Sequence, residues 1–455
     1  MQPKQRRSGW RVAMGIVLLL LAACTGDGDD GDGSPTSARR TTTTARPVPR
    51  GNVDGELRIG TLLPMTGALS SLGPSTREGV RMAVRDINEA GGVLGKPVVL
   101  GEADDATDEE TARTELERLL TKDKVDGVVG PIAPRLTLTA VDRLVGARAV
   151  GCSPANSLLS LATAPDEGWY FRTVPSDRLQ MEALAQLVHD DGHQRVAVVA
   201  SNDEYGRGLA GRLGTELKER GREVVADVAF DPAGASFAAD AERVAATTPN
   251  AVVLLASTAK GGVVLRALID KGVGPAAVAV YVADALQTDT LAAKVNPDDP
   301  AAVQGIKGTA PAPAPGNGAA FFSRAFAQFA PGIEPLFAAH AYDCAVVLAL
   351  AAEAAGSDDP SKLVRRMIDV TRDGTACSTF AECKTLLVAG TDVAYDGASG
   401  PLDLVEPGEP GVGTFDVFQF QADGRYQVLR QVTVVGQQPP GVGTTTTTVA
   451  TSTTR

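Results

Sequence analysis

The stretch Leu57-Arg58-Ile59-Gly60-Thr61-Leu62-Leu63-Pro64 is an apolar run stopped by proline. It reads as a buried strand, because a short apolar segment closed by a breaker is too brief for a core helix. Downstream, Arg77 to Glu89 carries Val80, Ala83, Val84 and Ile87 on one helical face, and Gly91-Gly92 ends it. Val98 to Leu100 is the next strand. Thr107 to Lys122 is a helix with acidic residues in its first turn, where the dipole favours them. Val125 to Val129, Pro134 to Leu144 and Ala149 to Cys152 continue the alternation as strand, helix and strand. Such alternation predicts a parallel sheet with helices on both faces.

A second series follows Thr173-Val174-Pro175-Ser176-Asp177. Helices are expected at Leu179 to Asp190, Tyr205 to Arg220, Phe237 to Ala246 and Gly262 to Lys271. Strands are expected at Val196 to Ala200, Glu223 to Phe230, Ala251 to Ala256 and Val278 to Val282. After a Pro-rich stretch at 311–316 come helices near 319–329, 336–356 and 360–370. The strand-like Phe415 to Gln421 and Tyr426 to Thr433 then flank an Asp423-Gly424 hairpin turn. The fold class is therefore α/β, with two doubly wound parallel-sheet lobes. Two such sheets facing one another leave a cleft at the C-terminal ends of their strands, where open sheets bind ligands.

The 455 residues, 44% hydrophobic, suffice for two cores. A net charge of −12 argues against nucleic acid as a partner, since phosphate binding needs a basic face. Aromatics at 4% disfavour a carbohydrate site built on stacked rings. His189, His193 and His340 are scattered without metal-ligand spacing, so no metal and no cofactor is expected.

The N-terminus carries Lys4, Arg6, Arg7 and Arg11, then an apolar run from Val12 to Ala23, then Cys24. The run is shorter than the roughly 20 residues that span a bilayer as a helix, and reads as an export signal. Leu21-Ala22-Ala23-Cys24 resembles the bacterial lipobox. That resemblance implies cleavage of residues 1–23, a lipid on Cys24, and a chain anchored on the outer face of the cell membrane. Residues 24–56 read as a flexible tether and 436–455, with Thr444 to Thr448, as a disordered tail, because neither has apolar surface to bury. Cys377 and Cys383, six apart, suit a local disulfide in an exported protein. Cys152 and Cys344 lie in apolar surroundings and read as inert buried thiols rather than a bridge.

The segment Ile59 to Gly67 with Gly73, Gly79 through Ala83-Val84-Arg85-Asp86-Ile87-Asn88 with Gly91-Gly92, and Asp104-Asp105 together resemble the opening of the branched-chain amino-acid-binding proteins. Val129-Gly130-Pro131, Ser153-Pro154-Ala155, Arg172 to Asp177, Asp203-Glu204-Tyr205-Gly206 and Ala341-Tyr342-Asp343 fit in order, so the resemblance spans 57–434. It implies a type I periplasmic-binding fold whose lobes, 57–174 with 309–400 and 175–308 with 401–435, are joined by three crossovers and close on ligand by hinge motion. The crossovers are expected near Val174 to Ser176, Lys307 to Thr309 and Ser399 to Leu402. The partners implied are a small solute, an amino acid first, and an ATP-driven permease; the chain is expected to be a monomer.

The resemblance also implies site residues. In the first lobe, hydroxyls and backbone N–H groups at helix starts would hold a carboxylate. The matching segments are Pro131 to Thr137 and Ser153 to Ser157, with Ala155 offering a backbone group. Ser153 and Ser157 equally suit N-capping of the next helix. Pro134 replaces a serine and removes an N–H donor. Arg135 beside it either reaches an acidic ligand group or faces solvent. In the second lobe Tyr205 enters the cleft from a helix start, Ser257 stands where relatives often carry tyrosine, and Asp284 matches the acid that pairs with a ligand ammonium. An enzyme is disfavoured. Gly206-Arg207-Gly208-Leu209-Ala210-Gly211 fits G-x-G-x-x-G but falls inside a helix start, and no G-x-S-x-G elbow occurs. A sensor of the same fold, and an amide or urea-type ligand, stay open.

Overall fold

The computed structural model describes residues 53–436. The expected signal, the lipidated Cys24 and the Thr-rich tail lie outside them. The chain begins with β1 (Arg58–Leu63), α1 (Gly73–Glu89), β2 (Val99–Asp104), α2 (Glu109–Thr121), β3 (Gly127–Val129), α3 (Pro134–Ala147), β4 (Val150–Ser153) and β5 (Tyr170–Arg172). These strands form one parallel sheet ordered β2-β1-β3-β4-β5.

The second series is α4 (Asp177–Asp190), β6 (Arg195–Ser201), α5 (Glu204–Glu219), β7 (Glu223–Phe230), α6 (Ala238–Ala245), β8 (Ala251–Leu255), α7 (Thr258–Asp270), β9 (Ala279–Val282), α8 (Leu291–Val295) and β10 (Lys307–Pro311). The chain then returns to the first lobe for α9 (Asn317–Phe329), α10 (Ala338–Ala355), α11 (Pro360–Leu363), β11 (Thr375–Cys377), α12 (Phe380–Val388), β12 (Val393–Gly397) and β13 (Gly400–Pro401). It leaves through the small hairpin β14 (Leu404–Val405) and β15 (Glu409–Pro410), and finishes with β16 (Val412–Phe420) and β17 (Tyr426–Val435). The second sheet is ordered β17-β16-β10-β9-β8-β6-β7. It is mixed rather than purely parallel, because the closing hairpin adds two antiparallel strands beside β10.

The lobes are thus joined by three crossings. The first runs from Arg172 to Asp177. The second lies beyond Pro311, not at the expected Lys307 to Thr309, because that segment is strand, paired with β9 on one side and β16 on the other. The third passes through the β14–β15 hairpin. Ser399, at its expected start, is still tied to the first lobe, with its N–H and hydroxyl both donating to Asp343 (2.7 and 2.5 Å).

Each lobe has its own core. Helix α10 is apolar on every side, and by length and composition it would pass for a membrane span. Instead it is wrapped by α1, α9, α12 and the first sheet, with Val346 to Ala352 fully buried. The second core fills both faces of the second sheet, with Ala197, Val199 and Val252 on one side and Val196, Val198 and Val253 on the other.

Two disulfides form. Cys377–Cys383 closes the expected local loop. Cys152–Cys344 corrects the expectation of separate thiols: it bolts β4 to α10 across 192 residues of sequence. The apolar surroundings are the same in either reading. What the sequence did not show is that α10 crosses the sheet beneath β4, bringing the Cα atoms within 5.7 Å.

Candidate functional site

The cleft lies where the C-terminal ends of β3 and β4 face the starts of α4 and α5 and the turn after β9. Its first-lobe wall is the loop after β4. Arg172 fixes that loop from behind, Nη1 donating to the carbonyls of Leu158 (2.8 Å) and Asn156 (3.4 Å). The Asp177 N–H donates to the Ser157 carbonyl at 2.9 Å, so the loop touches the first turn of α4 at the hinge. The backbone N–H groups of Ala155 and Ser157 have no acceptor among the described residues.

The second-lobe wall is polar and acidic. Asp284 opens the turn after β9; its Oδ1 accepts from Gln180 Nε2 (3.1 Å), and the Tyr205 hydroxyl stands near the same carboxyl. Gln180 is itself pinned by donating to the Thr309 carbonyl (2.9 Å). Tyr205 is placed by the start of α5, where the Asp203 carboxylate caps the Gly206 N–H (2.8 Å). It packs against the first-lobe cluster formed by Val141, Leu158, Leu161 and Tyr170. Between the walls sits Asp177, only 1% exposed. Its Oδ1 has no hydrogen-bond partner among the described residues, while the Ser157 hydroxyl stands beside its carboxyl.

Burial dominates the electrostatics. It pushes the Asp177 carboxyl up to about 7, with repulsion from Asp284 adding and the Ser157 hydroxyl and Arg172 opposing. Burial raises Asp284 too, against hydrogen bonds from Gln180, the backbone and Tyr205. Tyr205 is raised well above the usual tyrosine range, by burial first and then by both carboxylates. The nearby Arg172 is already committed to Glu409 in a buried ion pair.

The structure brings Ser157, Tyr205 and Asp284 together around Asp177, with Ala155 two residues before Ser157 on the same loop. It spends the hydroxyls of Thr137 and Ser153 elsewhere. Thr137 Oγ1 donates to the carbonyls of Pro131 (3.1 Å) and Ala133 (3.0 Å), and Ser153 Oγ donates to Pro131 (2.8 Å) while accepting from the Asn156 N–H. Pro134 is exposed at the first turn of α3. Arg135 faces solvent, 85% exposed, paired with Glu109 at 2.6 Å. Ser257 is exposed before α7, and its neighbour Thr258 takes the structural role, donating to the Ala285 carbonyl (2.5 Å) in the turn that carries Asp284. The glycines of the G-x-G-x-x-G match lie within α5, away from any strand end.

Sequence reasoning placed Asp177 only within the Arg172 to Asp177 motif and Gln180 only within a helix, and gave neither a role. The available signal was an aspartate and a glutamine three apart, one turn of helix, just after Pro175-Ser176.

Comparison with known proteins agrees with this architecture. The chain is 24% identical over 366 residues to the chemotactic signal transduction system substrate-binding protein BasB of Halobacterium salinarum, covering 78% of this chain and 85% of that one. It superposes on the branched-chain amino acid transporter substrate-binding protein LivJ of Streptococcus pneumoniae in complex with isoleucine, with a TM-score of 0.65, 20% identity, and 84% and 99% of the two chains covered. A solute-binding protein of an ABC transporter from Rhodopseudomonas palustris, in complex with p-hydroxybenzoic acid, gives a TM-score of 0.66 at 16% identity over 84% and 98%. The model of the periplasmic binding protein family matches residues 56–425. With its two doubly wound lobes, three crossings and a polar cleft between them, the chain belongs to the periplasmic binding protein family.

Proposed function

We propose that this chain is the extracytoplasmic solute-binding subunit of an ABC importer, closing by hinge motion over a small amine-bearing solute such as an amino acid. One observation carries the reading. Asp284 and Tyr205 of one lobe gather with Asp177 beside Ser157 of the other, on a loop whose Ala155 and Ser157 N–H groups have no acceptor among the described residues, giving an acid for an ammonium and donors for a carboxylate. The lobes 57–174 with 312–400 and 175–311 with 401–435 would move as units, and the ligand would leave with its bonds intact. A lipid on Cys24, a monomeric state and a membrane permease as partner complete the proposal. They rest on the lipobox-like Leu21 to Cys24 and on kinship with transporter subunits.

A thermal-shift screen of the purified protein against amino acids, amides, polyamines and small acids tests it. A ligand at 100 times its Kd stabilises by about 2.7 kcal/mol. Asp284→Ala is expected to abolish the shift for amines while the protein stays folded. An unchanged shift removes Asp284 from the site, and turnover of any bound solute removes the non-enzymatic reading. Likeness to a chemotactic binding protein favours one second reading, a sensor subunit with the same cleft. Capture of a receptor rather than a permease by crosslinking on whole cells would select it.

A further inference from the structure

We propose that the cleft selects a ligand of net positive charge, an amine or a basic amino acid, and that Asp177 is its second anionic contact alongside Asp284. The inference rests on the binding reading above and narrows its ligand class.

The first observation is the acid pair itself. Asp177 is buried, and its Oδ1 points at no donor among the described residues. A buried acceptor left without a donor costs about 1–3 kcal/mol, more when charged, unless a partner arrives. The groups around it come from four elements: the Ser157 hydroxyl from the loop after β4, Asp284 from the turn after β9, Tyr205 from α5 and Arg172 from β5. Arg172 is the cation among them, and Glu409 already neutralises it. Arg178, one residue along, lies 3.6 Å from Glu409 as well. The cleft thus holds two carboxylates and no uncommitted cation in this group.

The second observation is independent: the anion-holding side of the cleft is thin. Pro134 offers no N–H, the Thr137 and Ser153 hydroxyls are spent on the Pro131 carbonyl, and Arg135 points away to Glu109. Left on the loop after β4 are two backbone N–H groups, of Ala155 and Ser157, and the Asn156 side-chain amide, whose nitrogen has no partner among the described residues. A ligand of zero net charge would leave the acid pair undercompensated once both carboxyls are ionised. A ligand with an excess of positive charge balances it, and desolvated charges are tolerated only when paired.

The carboxyl of Asp177, pushed to about 7 when no cation is bound, gives the proposal a pH signature. A cation binds the ionised form, so its affinity rises as pH climbs from 6 to 8 and levels off above. Lysine and putrescine keep their side-chain or terminal ammonium groups throughout that range.

Isothermal titration of the purified full chain with lysine, putrescine, leucine and benzoate at pH 6 and pH 8 tests the idea. Expected are affinities for lysine or putrescine at least about 30-fold tighter than for leucine at pH 8, and about 10-fold weaker at pH 6. Asp177→Asn is expected to weaken the cation by about 10- to 100-fold at pH 8 and to flatten the pH profile. If that variant fails to fold, the profile of the parent protein decides alone. Leucine binding as tightly as, or tighter than, both cations overturns the charge selection while the amino-acid importer reading stands. Benzoate binding with no amine bound overturns both. Failure of every amine to bind, or a cation affinity flat in pH, overturns the proposal.

Discussion

At the residue scale, Asp177 shows what burial does to a charge. Its carboxyl titrates near 7 in the folded chain against an ordinary 3.8, so the native state holds a proton that the unfolded chain releases between about pH 4 and pH 7. Stability of the ligand-free protein therefore falls as pH rises through that window. Asp105 and Asp343, both pushed up to about 6 by burial, act with the same sign. His340 acts with the opposite sign. Burial lowers it to about 4, so the unfolded chain takes up its proton first and stability falls as pH drops from about 6.5 toward 4. Asp177→Asn mimics the protonated acid. The variant should be more stable than the parent at pH 8, by on the order of 1–3 kcal/mol, with the gap narrower at pH 5. Urea midpoints at the two pH values check this, and an equal gap at both would show that the charge of Asp177 is not felt.

At the element scale, the hinge is held by a buried ion pair. Arg172, at the end of β5, bonds Glu409 of β15, and Glu409 also accepts from the Ser176 hydroxyl (3.4 Å). One guanidinium thus ties the first crossing to the third and supports the loop that carries Ala155 and Ser157. Breaking such a pair leaves an uncompensated charge. Arg172→Met should cost about 3–5 kcal/mol, and adding Glu409→Leu should recover part of it. Denaturant titration of both variants reads the difference; no recovery would mean that packing, not charge, dominates. The Cys152–Cys344 bond ties β4, the strand leading into the same loop, to α10. Its removal by paired Cys→Ala changes should cost about 2–5 kcal/mol, and removal of the Cys377–Cys383 bond clearly less, because loop-closure entropy grows with the logarithm of loop length. Melting curves of the two double variants compare them, and an equal loss would contradict the entropic account.

At the scale of the whole molecule, two cores joined by three crossings can rotate without either being repacked. Contacts between the lobes near the cleft include the Asp177 N–H on the Ser157 carbonyl, Tyr205 on the apolar cluster that holds Leu158, and α5 against the turn at Leu159–Thr163. A ligand touching both walls therefore shifts the balance between open and closed arrangements by its preference for the closed one. Small-angle scattering should show a smaller radius of gyration when a tight ligand is added to the purified protein, and no such change for Asp284→Ala. An identical radius with and without bound ligand would rule out hinge closure.

Much of this was legible in the sequence because it depends on local periodicity. Apolar runs closed by Pro64 or Gly91-Gly92 marked strands and helices, and Glu223 to Phe230 was bounded as the structure has it. The place of Asp284, just after a strand, followed from the same alternation. Other features depended on groups far apart in sequence. Whether the hydroxyls of Thr137 and Ser153 are free is decided by where the Pro131 carbonyl points. Whether Arg135 reaches the cleft is decided by Glu109 on α2. Whether Cys152 meets Cys344 is decided by how α10 crosses the sheet. The sequence by itself determined the order of strands and helices, and so the two lobes and the cleft between them, because side-chain period and breakers act over a few residues. Only the tertiary structure decided which polar atoms remain unpaired in that cleft. A hydrogen bond is settled by the distance and direction between two atoms, and chain order sets neither.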